Sequence, residues 1–214
     1  MSAIFKKNIL LIDSQYLPCI DYYITLINGY KLKIEQYGHY QKLSYRNRCY
    51  IAGPNGMILL SVPLLHGRNQ RTIMKDLRIC NRDKWQSLHW KTLTSAYRRS
   101  PWFEYFEEEF RPWFEKPFEF LLDWNMEMFN LTNRLLGISP VYEFTASYEE
   151  NYPPEVADLR DTLLPGKLKS AKIEEGYPKY TQVFEERTGF FPNLSILDLL
   201  FCEGKHALSL LAPA

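Results

Sequence analysis

Apolar and polar positions along this chain change rhythm several times, and each change marks an element. Ile9 to Ile12 is an unbroken apolar run, which suits a strand buried on both faces. It ends at a polar elbow, Asp13-Ser14-Gln15-Tyr16. After Pro18, the residues Ile20, Tyr23, Ile24 and Ile27 recur at helical spacing until Asn28-Gly29 stops the helix. Lys31 to Tyr37 alternates, with Leu32 and Ile34 inward, as a second strand. Strand, helix and strand in this compass make a βαβ unit, so the two strands should run parallel.

Asn47–Ile51 and Met57–Val62 read as strands joined across Gly53-Pro54-Asn55-Gly56, and Asn-Gly is a strong hairpin signal. Leu64–Arg71 reads as a mobile loop and Ile73–Ile79 as a further strand. Trp85–Arg99 is the clearest helix, with Trp85, Leu88, His89, Leu93, Ala96 and Tyr97 on one apolar stripe and Asp83 placed to cap its start. Ser100-Pro101 suits the opening of an acidic helix that should break before Pro112. Pro117 can open a third helix whose buried face runs from Phe118 to Leu136, with Gly137 as its C-terminal stop. Pro140–Thr145 reads as a short strand, and Glu149–Gly176, with its paired prolines, as a loop. Tyr180–Arg187 is a brief helical segment stopped by Gly189. Ser195 and Asp198 form a capping box for a buried helix over Ile196–Phe201, and His206–Leu211 can add a short second helix.

The fold class expected is therefore α/β with α+β elements. An N-terminal βαβ unit sits in a mixed sheet with a β-hairpin, followed by a helical segment and a buried C-terminal helix. The organisation expected is a core over 1–146, a loop or linker over 147–178, and a helical segment over 179–214 packing on the core.

Composition narrows the classes. No apolar run approaches the ~20 residues of a membrane-spanning helix, and the N-terminus lacks the pattern of a signal peptide. Cys19, Cys49, Cys80 and Cys202 show no CxxC spacing, so reduced thiols in a cytoplasmic protein are expected rather than a disulfide framework or a zinc site. The net charge of +1 conceals an asymmetry: residues 42–99 carry +10 and residues from Ser100 onward carry −10. Blocks of this kind fit either two complementary faces of one fold or a local field that attracts an anionic ligand, which whole-chain charge does not reveal.

Candidate chemistry gathers at three places. Asp13, Gln15 and Tyr16 emerge at the carboxyl end of the first strand, where parallel sheets bind ligands, and Tyr22 can point back to them from the helix. Arg46, Asn47 and Arg48 open the hairpin; on an extended segment the two arginines share a face and can hold a phosphate or carboxylate, with Lys42 nearby. His89 on the strongest helix reads first as a hydrogen-bonded core residue and is otherwise the one candidate general base, with Tyr97 two turns on. His39, His66 and His206 have no partner at metal-ligand spacing. Neither a dinucleotide fingerprint nor a P-loop is present, so no metal or cofactor is indicated.

Several of these stretches together resemble the WbqC-like family. They are Gln15-x-x-Pro18 with Tyr22, Asn47-Arg48 with Gly53-Pro54-Asn55-Gly56 and Val62-Pro63, and Trp85-x-x-x-His89-x-x-x-Leu93-x-x-x-Tyr97 with Ser100-Pro101. Tyr180-x-Gln182-Val183-Phe184 and the run Phe191 to Phe201 complete the set. The family is linked to O-antigen and other surface-polysaccharide gene clusters of bacteria. The resemblance thus implies a cytoplasmic step on a sugar precursor: a transferase acting on an activated amino sugar, with a nucleotide sugar as the anionic partner. This chain departs from the family pattern at Tyr37 and His39, where acidic and glutamine residues are usual, and at Leu17 and Cys19. Two other readings stay open on the residues: a nucleic-acid-binding module using segment 42–99 with Tyr45 and Tyr50, and a non-catalytic scaffold in polysaccharide assembly. The sequence does not set the oligomeric state.

Overall fold

A computed structural model describes residues 8–65, 71–165 and 177–212. At its centre lies a four-stranded parallel sheet formed by β1 (Ile9–Asp13), β2 (Lys31–Glu35), β5 (Tyr142–Phe144) and β6 (Val156–Asp158), in the spatial order β5-β2-β1-β6. The apolar run that predicts β1 is explained by its place. It pairs with β2 on one side and β6 on the other, and Leu10, Leu11 and Ile12 are buried. Helix α1 (Ile20–Leu26) makes the crossover to β2, and the register runs from Ile9 against Lys31 to Asp13 against Glu35. The carboxyl ends of both central strands therefore carry an acid.

The hairpin of β3 (Arg48–Gly53) and β4 (Gly56–Ser61) does form, but it stands apart as its own two-stranded sheet. Gly56 takes φ 119, a conformation open to glycine, to leave the turn. Ile73–Ile79 is not a strand. It folds as a single 3-10 turn at Met74–Asp76 flanked by isolated bridges, because its backbone groups find scattered partners in place of one neighbouring strand.

Three helices follow: α2 (Trp85–Tyr97), α3 (Phe103–Glu115) and α4 (Leu121–Leu136). The α2 cap position is Lys84 with no side-chain cap, so Asp83 does not serve, and Leu88 faces out. Helix α3 starts after Trp102 and runs through Pro112 rather than breaking before it. Pro112 is exposed, so the carbonyl it leaves unbonded can turn to water, while buried Phe110 and Phe114 hold the last turn on the core. Helix α4 starts at Leu121, later than Pro117 suggests, and ends at Gly137 with φ 77, the left-handed cap expected.

Strand β6 lies inside the stretch read as a loop. Three residues among prolines carry no strand signal of their own, and pairing with β1 makes them a strand. After α5 (Glu185–Thr188), helix α6 (Ile196–Glu203) is buried on nearly every side and α7 (Ala207–Leu211) completes the described chain. Ile196, Leu199 and Leu211 belong to the same apolar cluster as β1 and α1. Phe201 of α6 meets the rings of Tyr97, Phe103 and Phe110 at 5.1–5.6 Å, tying α2 and α3 to it. Gly204, at φ 56, lies so close to the Trp102 ring that a Cβ there would sit 2.1 Å from it. Of the loop expected over Leu64–Arg71, residues 66–70, His66 among them, lie outside the described residues. So do 166–176 of the expected linker. No helix among the described residues is long and apolar enough to cross a membrane.

Candidate functional site

From β1 the chain crosses to β2 on one side, and only after β5 does it return to lay β6 on the other. The order of the strands reverses between β1 and β6, and the crevice beyond the carboxyl ends at such a point is where open parallel sheets bind ligands. The residues gathered there are charged. Asp13 ends β1, and its Oδ2 accepts the backbone N–H of Asp161 at 2.8 Å. Arg46 Nη2 donates to Asp13 Oδ1 at 2.6 Å and to Asp161 Oδ1 at 2.8 Å, while its Nη1 reaches Gln41 Oε1 at 3.3 Å. Burial pushes the Asp13 carboxyl up from its ordinary value, and the Arg46 charge opposes this.

Beside this group, Glu35 ends β2 and is buried. Its Oε1 accepts the N–H of Tyr37 and the hydroxyl of Thr145 at 2.8 and 2.9 Å, and its Oε2 takes Arg160 Nη1 at 3.3 Å. Arg160 also holds Asp158 at 2.6 Å and lies 5.0 and 5.1 Å over the rings of Tyr148 and Tyr152. One arginine thereby fastens the segment around β6 to the sheet edge. Nothing local announces Glu35, Arg160 and Asp161 as a set; the sequence signal available is an acid at or near the carboxyl end of the first two predicted strands.

Arg46 and Arg48 do not share a face. Tyr45–Asn47 is a 3-10 turn, and the extended segment starts at Arg48. The change of backbone turns Arg46 inward to the two aspartates and leaves Arg48 in a neighbouring cleft of about 730 Å³. Tyr40, Asn47, Ser61 and Lys42 line that cleft with Arg48, and among the described residues no carboxylate lines it. Asn47 is committed to the wall: it accepts from the Tyr40 hydroxyl at 3.0 Å and donates to the Val62 carbonyl at 2.9 Å. Burial raises the Tyr40 hydroxyl above its usual range, against the pull of Arg48 and then of Arg46. Arg48 Nε is buried without a hydrogen-bond partner. At the rim, Leu43 is 70% exposed and held at φ 60, a conformation uncommon for a branched side chain.

The elbow itself is a buttress. Gln15 Oε1 accepts the Cys19 N–H at 3.4 Å, at the start of α1. The C-terminal block closes over the elbow: Ser195 Oγ donates to the Leu17 carbonyl at 2.9 Å, and Asn193 Oδ1 accepts the Asp21 N–H at 2.8 Å. These bonds explain why the Gln15–Pro18 and Phe191–Phe201 stretches belong together. Asn125 of α4 donates to the Arg46 carbonyl at 2.8 Å and supports the turn from below.

Tyr16 and His89 do meet, with Tyr16 Oη 2.8 Å from His89 Nδ1. Both are buried, and neither lines the cleft. His89 stands near Ser61, a residue of the cleft wall, whose backbone favours the protonated ring while burial opposes it. That place suits support of the wall, as the hydrogen-bonded core histidine that the apolar stripe of α2 also allows. Burial lowers its pKa from 6.5 to about 4. Below pH 6.5 the unfolded chain takes up a proton that the folded chain refuses, so stability should fall as pH drops toward 4. Denaturant unfolding at about pH 7 and about pH 5 should show a smaller acid loss for His89→Gln than for the wild type; equal losses would refute this. Tyr22 is buried against Tyr23 and Phe129, near enough to Asp13 to feel its charge.

Tyr97 lies elsewhere. Its hydroxyl donates to Asp198 Oδ1 at 2.6 Å and accepts the Ala52 N–H at 3.1 Å. Asp198 does not complete a capping box. Ser195 Oγ accepts the Leu197 N–H at 3.3 Å, but the Asp198 carboxylate is taken by Tyr97, by Tyr180 at 2.6 Å and by Gln182 at 2.9 Å. The stacking surface that a nucleic-acid reading requires is also reduced. Tyr45 is buried, and its ring meets Tyr50 edge-on at 6.4 Å.

Comparison with known proteins agrees with the resemblance in the sequence. The model of the WbqC-like protein family matches residues 13–162, a span that opens at Asp13 and closes just past Asp161. The Tyr180–Phe201 blocks lie beyond it. The chain is also similar to the uncharacterised protein Rv1507c of Mycobacterium tuberculosis, with 25% identity over 94% of this chain and 96% of that one. No solved structure matches the chain.

Proposed function

The chain belongs to the WbqC-like protein family, and from that footing we propose that it binds a nucleotide sugar in the Arg48 cleft and acts on it as a transferase in surface-polysaccharide synthesis. The observation that carries the reading is Arg48. Its guanidinium lines a polar cleft with Lys42, beside the carboxyl edge of a parallel sheet, and among the described residues no acid lines that cleft and its Nε has no hydrogen-bond partner. A diphosphate placed there gains charge-assisted hydrogen bonds in a setting where the described residues supply no competing carboxylate. Asn47 and Tyr40 hold the wall, and Tyr16 with His89 braces it from behind. The exposed Leu43 at the rim offers an apolar surface to the body of the ligand.

Calorimetric titration with UDP-N-acetylglucosamine tests the reading. Wild type should bind, and Arg48→Ala should weaken binding at least about tenfold, the scale of one lost charge-assisted contact. No binding by wild type, or unchanged binding by Arg48→Ala, refutes it.

A further inference from the structure

A second cleft, of about 620 Å³, lies between the outer face of α2, helix α3 and the Val183-Phe184 segment, and shares no lining residue with the first. Its size falls in the range of small-molecule sites. Lys91, Arg98, Arg99 and Arg111 contribute four cations to it, against one acid, Glu107. Helix α3 is rich in glutamates, so ion pairs across the cleft would be expected, yet they do not form. Glu107 and Glu108 both pair with Arg111, at 2.5 and 3.2 Å, and Glu109 turns away to Arg134 at 2.9 Å. Lys91, Arg98 and Arg99 are left without an acidic partner among the described residues.

Arg98 and Arg99 follow the C-terminus of α2, where the helix dipole favours cations. That accounts for positive charge at the helix end. It does not account for Lys91, two turns earlier, which faces the same concavity. Thr94 and Ser95 also line it, and the rest of the wall is apolar: Trp90, itself stacked on Phe103 at 5.9 Å, stands with Ala96, Val183 and Phe184. Cations without an acidic partner beside the aromatic side chains of Trp90 and Phe184 complement a ligand that joins phosphates to a planar ring.

We propose that this cleft is a second binding site, specific for a nucleoside phosphate. It is independent of the Arg48 reading, since neither cleft borrows a residue from the other. The phosphates take Lys91, Arg98 and Arg99, and the base lies against Trp90 and Phe184. Binding there should weaken with salt, as befits contacts between exposed charges.

Calorimetric titrations with UDP and with inorganic pyrophosphate, on wild type, Arg48→Ala, Arg98→Ala/Arg99→Ala and Phe184→Ala, test the proposal. The arginines are exposed, so the double variant should unfold at nearly the wild-type denaturant concentration. One class of UDP sites should survive Arg48→Ala and weaken at least about tenfold in Arg98→Ala/Arg99→Ala. Phe184→Ala should weaken UDP more than pyrophosphate. Unchanged UDP binding in the double variant overturns the site, as does loss of all UDP binding on Arg48→Ala. Equal affinity for UDP and pyrophosphate in wild type overturns the nucleoside part. Because the nucleotide-sugar titration of Arg48→Ala is read separately, failure of either site is distinguishable from failure of the other.

Discussion

Replacing Arg46 with alanine should destabilise the protein by roughly 3–5 kcal/mol near neutral pH, the cost typical of removing one partner from a buried ion pair. The attractive energy of the pair is not the reason. Asp13 is buried and its carboxyl is already pushed up by desolvation, so without Arg46 a charge would be left in the interior with little besides the Asp161 N–H to hold it. The bond from Arg46 to Asp161 adds little, because that carboxylate is more than half exposed and water screens it. The sign of the pH effect follows. Loss of Arg46 raises the folded-state pKa of Asp13 further, so the folded variant binds a proton more tightly than the unfolded chain does. Its deficit should shrink as pH falls through that raised value. Denaturant unfolding near pH 7 and near pH 5 measures both effects. A deficit under about 1 kcal/mol, or one that widens with acid, would show that the cluster is not arranged in this way.

Asp198→Ala should cost roughly 3 kcal/mol or more, since it strands the buried hydroxyls of Tyr97 and Tyr180 and takes one acceptor from Gln182, which keeps the Phe191 carbonyl. Tyr97, Tyr180 and Gln182 come from helix α2 and from the segment before α5, and the Asp198 carboxylate is the acceptor they share. Burial raises its pKa, and the hydrogen bonds from Tyr180, Tyr97 and Gln182 oppose that. Tyr97→Phe and Tyr180→Phe each remove one donor, so each should cost about 1 kcal/mol. Thermal or denaturant unfolding of the three variants ranks them. Asp198→Ala no worse than either phenylalanine variant would show that the carboxylate is not the hub.

The two residues differ in how much the sequence disclosed. Arg46 is visible as a candidate because two arginines stand one residue apart before a hairpin. Its direction is not visible, because a single 3-10 turn decides whether 46 and 48 share a face. Asp198 is visible as one half of an S-x-x-D pattern, and the pattern fits the Ser195 cap. Its partners lie 101, 18 and 16 residues away, and no local rule connects them. His89 shows the same division. Its place on the apolar stripe of α2 is legible, whereas Tyr16 as its partner depends on how α2 packs on the elbow.

By itself the sequence determined the elements whose signals are local: the unbroken apolar run of β1, the helix ended by Asn28-Gly29, the Asn-Gly hairpin, α4 with its glycine cap and the all-round apolar α6. Each is governed by backbone preference and side-chain period within a few residues, and these act before any distant contact forms. Tertiary structure alone decided that 156–158 is a strand, that Asp161 returns to Asp13, and that Arg46 faces inward while Arg48 opens onto a cleft. Those outcomes rest on pairing and charge neutralisation between segments more than a hundred residues apart, or on one turn of backbone. The free energy of such contacts exists only once the chain has closed on itself.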